Sequence, residues 1–429
     1  MQDTQTFHRS QALSRPHTRE RLLLALAAAF TLTGFLMLAL ANPLRLNPIL
    51  YAGGAVVWMA GFSAAHLALN RVLPDRDPLI LPVVGLLAGW GLLMVARLSR
   101  TDFPRQMIWL VVGIGMMLAV AAAPRELRWL RRYRYTWLIG GLALLAATLV
   151  FGVNPSGRGQ ELWLGFGGVF FQPSEVVKLL MIVFMASYLA EKRDVQLVMR
   201  VAPGPLNAAY LAPMLFMWGI AMAILLIQQD LGAAMLLFLA FLVMLYLASG
   251  RRLYLAAGGV LLIAAVLIGY VLIDRVTERI DIWLNPWASA DRAGYQIVQS
   301  LIGIGSGNLI GQGLGLGDPV VPAAHTDMPL AVIGEEFGLI GAIGLVACYA
   351  VLTVRGLRAA TRSRTAYGGL LAAGLATLIG MQAWIIMAGN IDLIPLTGIT
   401  LPFVSYGGSS MLVSCVMVGL LLHVSADAD

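Results

Sequence analysis

Apolar residues run along this chain in twelve long, nearly unbroken stretches: Leu22–Leu40, Ile49–Leu69, Leu79–Val95, Met107–Ala123, Tyr135–Val153, Val176–Ala190, Ala208–Ile227, Leu231–Ala248, Leu253–Ile273, Leu330–Val354, Tyr367–Met387 and Phe403–Val424. Roughly 20 mostly apolar residues in a helix cross a ~30 Å hydrocarbon core. None of the stretches alternates with the period of two that a membrane barrel strand requires. In lipid, the remaining way to satisfy every backbone N–H and C=O is the helix. The pattern predicts an all-α polytopic membrane protein of about twelve transmembrane helices.

Composition removes the competing classes. Of the 429 residues, 59% are hydrophobic and 12% charged, against about 25% charged in a soluble domain. A soluble globular chain and a disordered one are both excluded. The formal net charge of +7 follows topology and gives no support to a nucleic-acid partner. Arg125, Arg128, Arg131, Arg132 and Arg134, and likewise Arg355, Arg358, Arg362 and Arg364, fall on links that share a side with the N-terminal tail. The opposite links hold the sparser set Arg45, Arg97, Arg100, Arg105, Arg158, Arg275, Arg279 and Arg292. By the positive-inside rule both termini are cytoplasmic. Ala39-Leu40-Ala41 resembles a signal-peptidase site, but the run before it exceeds the usual 7–15 residues, roughly, of a signal peptide. A retained anchor is expected. Cys348 and Cys415 both sit inside apolar runs, and the five histidines are scattered, so neither a disulfide framework nor a protein-built zinc site is expected.

Candidate chemistry gathers on the external side. The long link from Asp274 to Pro329 opens with Val276, Ile280, Trp283 and Leu284 at helical spacing among charged residues, which predicts a short amphipathic helix on the outer leaflet. Tyr295, Val298, Leu301 and Ile302 predict a second helix, followed by a glycine-rich stretch over 303–317 that fits no nucleotide-binding pattern. That stretch reads either as a re-entrant connection or as backbone amides close to a phosphate. Next come His325, Thr326 and Asp327 just before a span beginning near Pro329. Thr326 or Asp327 can cap that helix, and Asp327 can equally be a catalytic carboxylate at the outer mouth. Glu175 and Lys178, three apart at the start of a span, share a face and can neutralise each other, as a structural pair or as ligand contacts. Asp230 reads as a helix cap; Glu335, Glu336, Asn390 and Asp392 complete the polar groups of the outer half.

The last external segment, Ile394-Pro-Leu-Thr-Gly398-Ile-Thr-Leu-Pro402-Phe-Val-Ser405-Tyr-Gly-Gly-Ser-Ser410, resembles the signature of the SEDS family, the FtsW/RodA/SpoVE proteins. Phe171-Gln-Pro-Ser-Glu175 with Lys178, Asp230-Leu-Gly232, Gly294-Tyr-Gln296, His325-Thr-Asp327 and Gly334-Glu-Glu-Phe-Gly338 are similar to further landmarks of that family in the same order. The resemblance implies a ten-helix core at 79–424 with the external loop 274–329, preceded by a cytoplasmic tail (1–21) and two extra helices (22–78), and followed by a cytoplasmic tail (425–429). It implies a peptidoglycan glycosyltransferase of the bacterial cytoplasmic membrane that polymerises lipid II with inversion, beside a class B penicillin-binding protein and with a divalent cation. Carried over residue by residue, it makes Asp327 the catalytic residue, and Glu175, Lys178, Arg158, Arg292, His325 and Ser405 substrate-binding. The chain departs from the pattern where Ala323-Ala324 follow Pro322, where Leu162 precedes Trp163, at Gln229, and in the shortened stretch from Asn390 to Pro395. A flippase for a lipid-linked precursor and a noncatalytic scaffold are the competing readings. The one-sided placement of the polar loops favours external chemistry over transport, which favours midplane charges and internal repeats.

Overall fold

The computed structural model describes residues 2–42, 46–124, 127–155, 157, 159–198, 208–318 and 321–427. Its helices are α1 (Gln2–Ala41), α2 (Pro48–Val72), α3 (Ile80–Leu98), α4 (Asp102–Ala121), α5 (Arg128–Arg132), α6 (Arg134–Phe151), α7 (Pro173–Val198), α8 (Ala208–Ile227), α9 (Leu231–Ser249), α10 (Arg252–Leu272), α11 (Asp274–Leu284), α12 (Tyr295–Ser306), α13 (Pro329–Arg362), α14 (Ala366–Asn390) and α15 (Gly408–Ala426). Each of the twelve apolar stretches is essentially helical. Among the described residues eleven helices are long and apolar enough to cross a membrane, and the 20-residue α8 is a further apolar helix. Two ends differ from expectation. Gly152–Val153 leaves the helix to join a small antiparallel sheet with Trp163–Phe166 and Val169–Phe171, and residues 403–407 form a turn that starts from Phe403 at φ 69°.

Helix α10 is almost wholly exposed, whereas α3, α7, α14 and α15 form the buried centre. Lipid offers no hydrophobic force between helices, so close approach depends on small residues. A Cβ at Gly419 would lie 2.7 Å from the Met117 carbonyl, and one at Gly113 2.8 Å from Cys415 Sγ, which is how α4 and α15 lie together. The N-terminal pair packs in the same way. A Cβ at Gly89 would meet Thr31 Oγ1 at 2.2 Å, and Trp58 Nε1 donates to the Gly85 carbonyl at 2.8 Å. At the other end of this pair, buried Glu20 accepts from Arg76 at 2.6 Å and lies 2.7 Å from His66 Nδ1. The next residue, Asp77, pairs with Arg355 of α13.

Helix α13 is broken at Gly338, where φ is 66° and ψ −165°. A break inside lipid frees backbone groups that must be satisfied elsewhere, and the glycine-rich stretch supplies the partners. Gln312 and Gly313 N–H donate to the Glu335 and Glu336 carbonyls at 2.9 and 3.0 Å, and the Asn308 and Leu309 carbonyls accept from Leu339 and Ile340 at 2.9 and 3.2 Å. These groups are engaged with the broken helix. The carboxylates of the same residues reinforce the junction: Glu336 accepts from Arg97 at 2.7 Å, and Glu335 from the Asp318 N–H at 2.8 Å. Gly311 has φ 83°, and a Cβ there would sit 2.2 Å from the Glu336 carbonyl. Gly311→Ala is expected to destabilise by about 1–3 kcal/mol from the backbone alone, read as a lower unfolding temperature in detergent.

Candidate active site

Asp327 ends a short turn. Its N–H and that of Thr326 both donate to the Ala323 carbonyl, at 2.9 and 3.0 Å. The segment is then held from two other parts of the chain. Ser405 Oγ donates to the Thr326 carbonyl at 2.5 Å, and Tyr406 N–H to the His325 carbonyl at 2.7 Å. From the end of α14, fully buried Asn390 donates Nδ2 to the Asp327 carbonyl at 2.9 Å, while its Oδ1 accepts the Leu330 N–H at 3.2 Å. Asn390 therefore does the work of a helix cap, and its own carbonyl is held by Ser300 at 2.7 Å. No side chain at the formal cap position, Met328, bonds the helix, and Thr326 Oγ1 turns back to the Ala323 carbonyl at 3.0 Å. The capping alternative for Asp327 is thereby removed. Its carboxylate faces a cavity of about 1020 Å³, larger than most small-molecule sites.

This cavity is closed on one side by α11 and on the other by the Asp327 segment and the loop after α14; the ends of α8 and α10 contribute Leu226 and Leu272. Its charged lining comprises Asp274, Arg275, Glu278, Arg279, Asp327 and Asp392. Arg279 donates to the Thr397 carbonyl at 3.3 Å and lies in the field of both Asp230 and Asp327. Burial, reinforced by the charge of Arg275, lowers the Arg279 pKa, and the two aspartates and Glu278 oppose that. The Asp327 carboxyl is pushed up to about 6, chiefly because it is desolvated; the Thr326 hydroxyl and the Arg279 guanidinium pull the other way. A carboxylate titrating there is matched to general-base work near neutral pH.

Behind Arg279 lies buried Asp230, which caps α9 by accepting from the Ala233 N–H at 3.1 Å, as its position before a span suggests. Asp230 in turn feels the charges of Lys178 and Glu175. Those two form a buried ion pair at 2.8 Å, and Lys178 also donates to Gln382 Oε1 at 3.1 Å. Gln382 Nε2 reaches the Thr400 carbonyl at 2.7 Å. Hydrogen bonds thus link the signature loop to the Glu175–Lys178 pair, whose charges are felt at Asp230.

The profile of the family FTSW_RODA_SPOVE, described as "Cell cycle protein", matches residues 78–429. The chain belongs to the FtsW/RodA/SpoVE family. It is 38% identical over 426 residues to the peptidoglycan glycosyltransferase RodA of Mycobacterium leprae, covering 95% of this chain and 90% of that one. It is also 38% identical over 375 residues to a probable peptidoglycan glycosyltransferase FtsW of Geobacter sulfurreducens, covering 84% and 98%. Among solved structures, one from work on polymerization and crosslinking by a peptidoglycan synthase complex matches with a TM-score of 0.69 at 25% identity, over 82% of this chain and 98% of that one. The rod shape determining protein RodA of Thermus thermophilus has the same fold, with a TM-score of 0.60 at 24% identity over 82% and 97%. Names and helices together make this FtsW/RodA/SpoVE protein a multi-pass membrane protein.

Within this FtsW/RodA/SpoVE protein the residues expected at the site are distributed unevenly. Asp327 lines the cavity. Glu175 and Lys178 do not; they are buried behind it and committed to each other. The His325 imidazole turns away from Asp327, 3.5 Å from Asp102 and against the Tyr406 ring, and burial lowers its pKa. Ser405 is buried, with its hydroxyl engaged by the Thr326 carbonyl and the Leu401 N–H, so it holds the Asp327 segment in place. Arg292 is exposed on a turn outside the lining, because the chain reverses there between α11 and α12. Arg158 lies outside the described residues. The cations that do line the cavity are Arg275 and Arg279. With Ile282 and Trp283 they form a stripe at i, i+4, i+7 and i+8 along α11, the one signal that could have revealed them. Trp283, expected in the membrane interface, instead donates to the Asp392 carbonyl at 3.1 Å.

Proposed function

We propose that this chain polymerises lipid II into β-1,4 glycan at the outer face of the cytoplasmic membrane, with both termini cytoplasmic and a class B penicillin-binding protein as its partner. The observation that carries the reading is the Asp327 carboxylate, relieved of capping by Asn390 and opening onto a cavity opposite Arg279. The cavity is lined by helix ends and external connections on one side of the bundle, which favours surface chemistry over passage through the membrane. The solved relative drawn from a peptidoglycan synthase complex supports the partner.

The acceptor's 4-hydroxyl oxygen attacks the donor's anomeric carbon. The new C–O bond forms as the bond to the diphosphate oxygen breaks on the opposite face, so an α-linked donor gives a β-linked product. The hydroxyl is far less acidic than Asp327, so its proton passes to the carboxylate during attack. The departing diphosphate carries its negative charge toward Arg275 and Arg279, which need no reorganisation at that moment. Among the described residues no three His, Cys, Asp or Glu side chains gather as metal ligands. A divalent cation would therefore be held mainly by the diphosphate oxygens, and no step here runs through it. The test is glycan-strand synthesis from labelled lipid II by the purified chain with its cognate penicillin-binding protein. Polymer supports the reading; lipid II binding without polymer would return it to transport or scaffolding.

A further inference from the structure

Asp392 sits in the stretch where this chain is shorter than the common family form. It lines the same cavity as Asp327, on the loop that follows α14. Its backbone is fixed: the N–H donates to the Gly389 carbonyl at 3.2 Å and the carbonyl accepts Trp283 Nε1 at 3.1 Å, so the residue lies where α11 meets the loop. Its φ is 60°, a left-handed conformation that Asn and Asp tolerate better than other side chains, and Gly best of all. The turn alone thus accounts for a small polar residue. It does not account for a negative charge.

Among the described residues Asp392 forms no ion pair. Arg279 of α11 is drawn to Asp230, Asp327 and Glu278. No cation among the described residues offsets the burial of Asp392, which raises its carboxyl pKa. A carboxylate partly withdrawn from water on a cavity wall gains from a cationic or donor group that arrives there. Through a cavity wall, such a group comes from the ligand. A diphosphate is repelled at this position and belongs against Arg275 and Arg279 of the same cavity.

We propose that Asp392 is a specificity-determining residue that receives a primary ammonium group of the substrate's peptide, an inference resting on the glycosyltransferase reading above. The ammonium donates to the carboxylate in the cavity wall, and so helps to orient the substrate for attack. The test compares two lipid II preparations, one with a free amine on its peptide and one with that amine acetylated, against wild type and Asp392→Asn. Asn keeps the left-handed turn and removes only the charge. Acetylation is expected to raise KM for wild type by about five- to tenfold with kcat little changed, and to leave Asp392→Asn unaffected. Equilibrium binding of both lipids, measured alongside, should show the same pattern without turnover. Equal KM and equal binding for the two lipids in wild type, or discrimination retained by Asp392→Asn, overturns the assignment while leaving the polymerase reading intact. No polymer from either lipid with wild type overturns the polymerase reading itself, and the ammonium contact with it if binding is also indifferent to acetylation.

Discussion

Asp327→Asn is expected to abolish glycan-strand synthesis, by at least the 10²–10⁴-fold that a general base typically contributes, without disturbing the fold. The Asp327 backbone carbonyl, which Asn390 holds, is unchanged by the substitution, and Asn is nearly isosteric with Asp. What is lost is the acceptor for the sugar proton. The pH dependence gives an independent check. With the carboxyl at about 6, the catalytic form is the deprotonated one. Activity should rise with pH through that value, level off above it, and fall about tenfold per unit well below it. Arg279→Met removes a cation that favours the charged form, so its acid limb should move to higher pH, beyond any loss from weaker phosphate binding. Initial rates of polymer formation across pH 4.5 to 8 for the three proteins would check both expectations; an unmoved limb in Arg279→Met would separate Arg279 from the base.

The largest effect on stability is expected at Lys178. Both partners of its ion pair are almost fully buried, 3% and 6% exposed, so removing one leaves an uncompensated charge inside the bundle. Lys178→Met should cost about 3–5 kcal/mol and lower the detergent unfolding temperature accordingly. The double variant Glu175→Gln/Lys178→Met should recover most of that, because the stranded carboxylate is gone. Recovery of stability without recovery of activity would assign the pair a role at the cavity through Asp230. Recovery of both would make it structural.

The apolar stretches, the two helices of the long external link and the placement of Asp327 before a span were all legible in the residues, since each depends on length or local periodicity. The partners of those elements were not. Asn390 reaches Asp327 across 63 positions, and Lys178 reaches Gln382 across 204; no local spacing encodes such contacts. Val276, Ile280 and Leu284 gave α11 a plausible membrane face, yet its Arg275 and Arg279 stripe meets the cavity, because a helix with charges on several faces can seat in more than one rotation. The glycines of 303–317 left two readings open until the break at Gly338 showed which backbone groups needed partners.

The packing of α1 and α2 bears on where this protein can be divided. The family profile begins at residue 78, between Asp77, which pairs with the core through Arg355, and the start of α3. A chain cut there would lose the Thr31 and Trp58 side chains that fill the approaches to Gly89 and Gly85, together with Arg76 and its carboxylate partner. Lipid tails cannot reproduce an indole N–H bonded to a helix carbonyl. The start of the family profile and the start of the packed unit are therefore different in this protein, and an expression fragment that keeps these contacts has to begin upstream of residue 78.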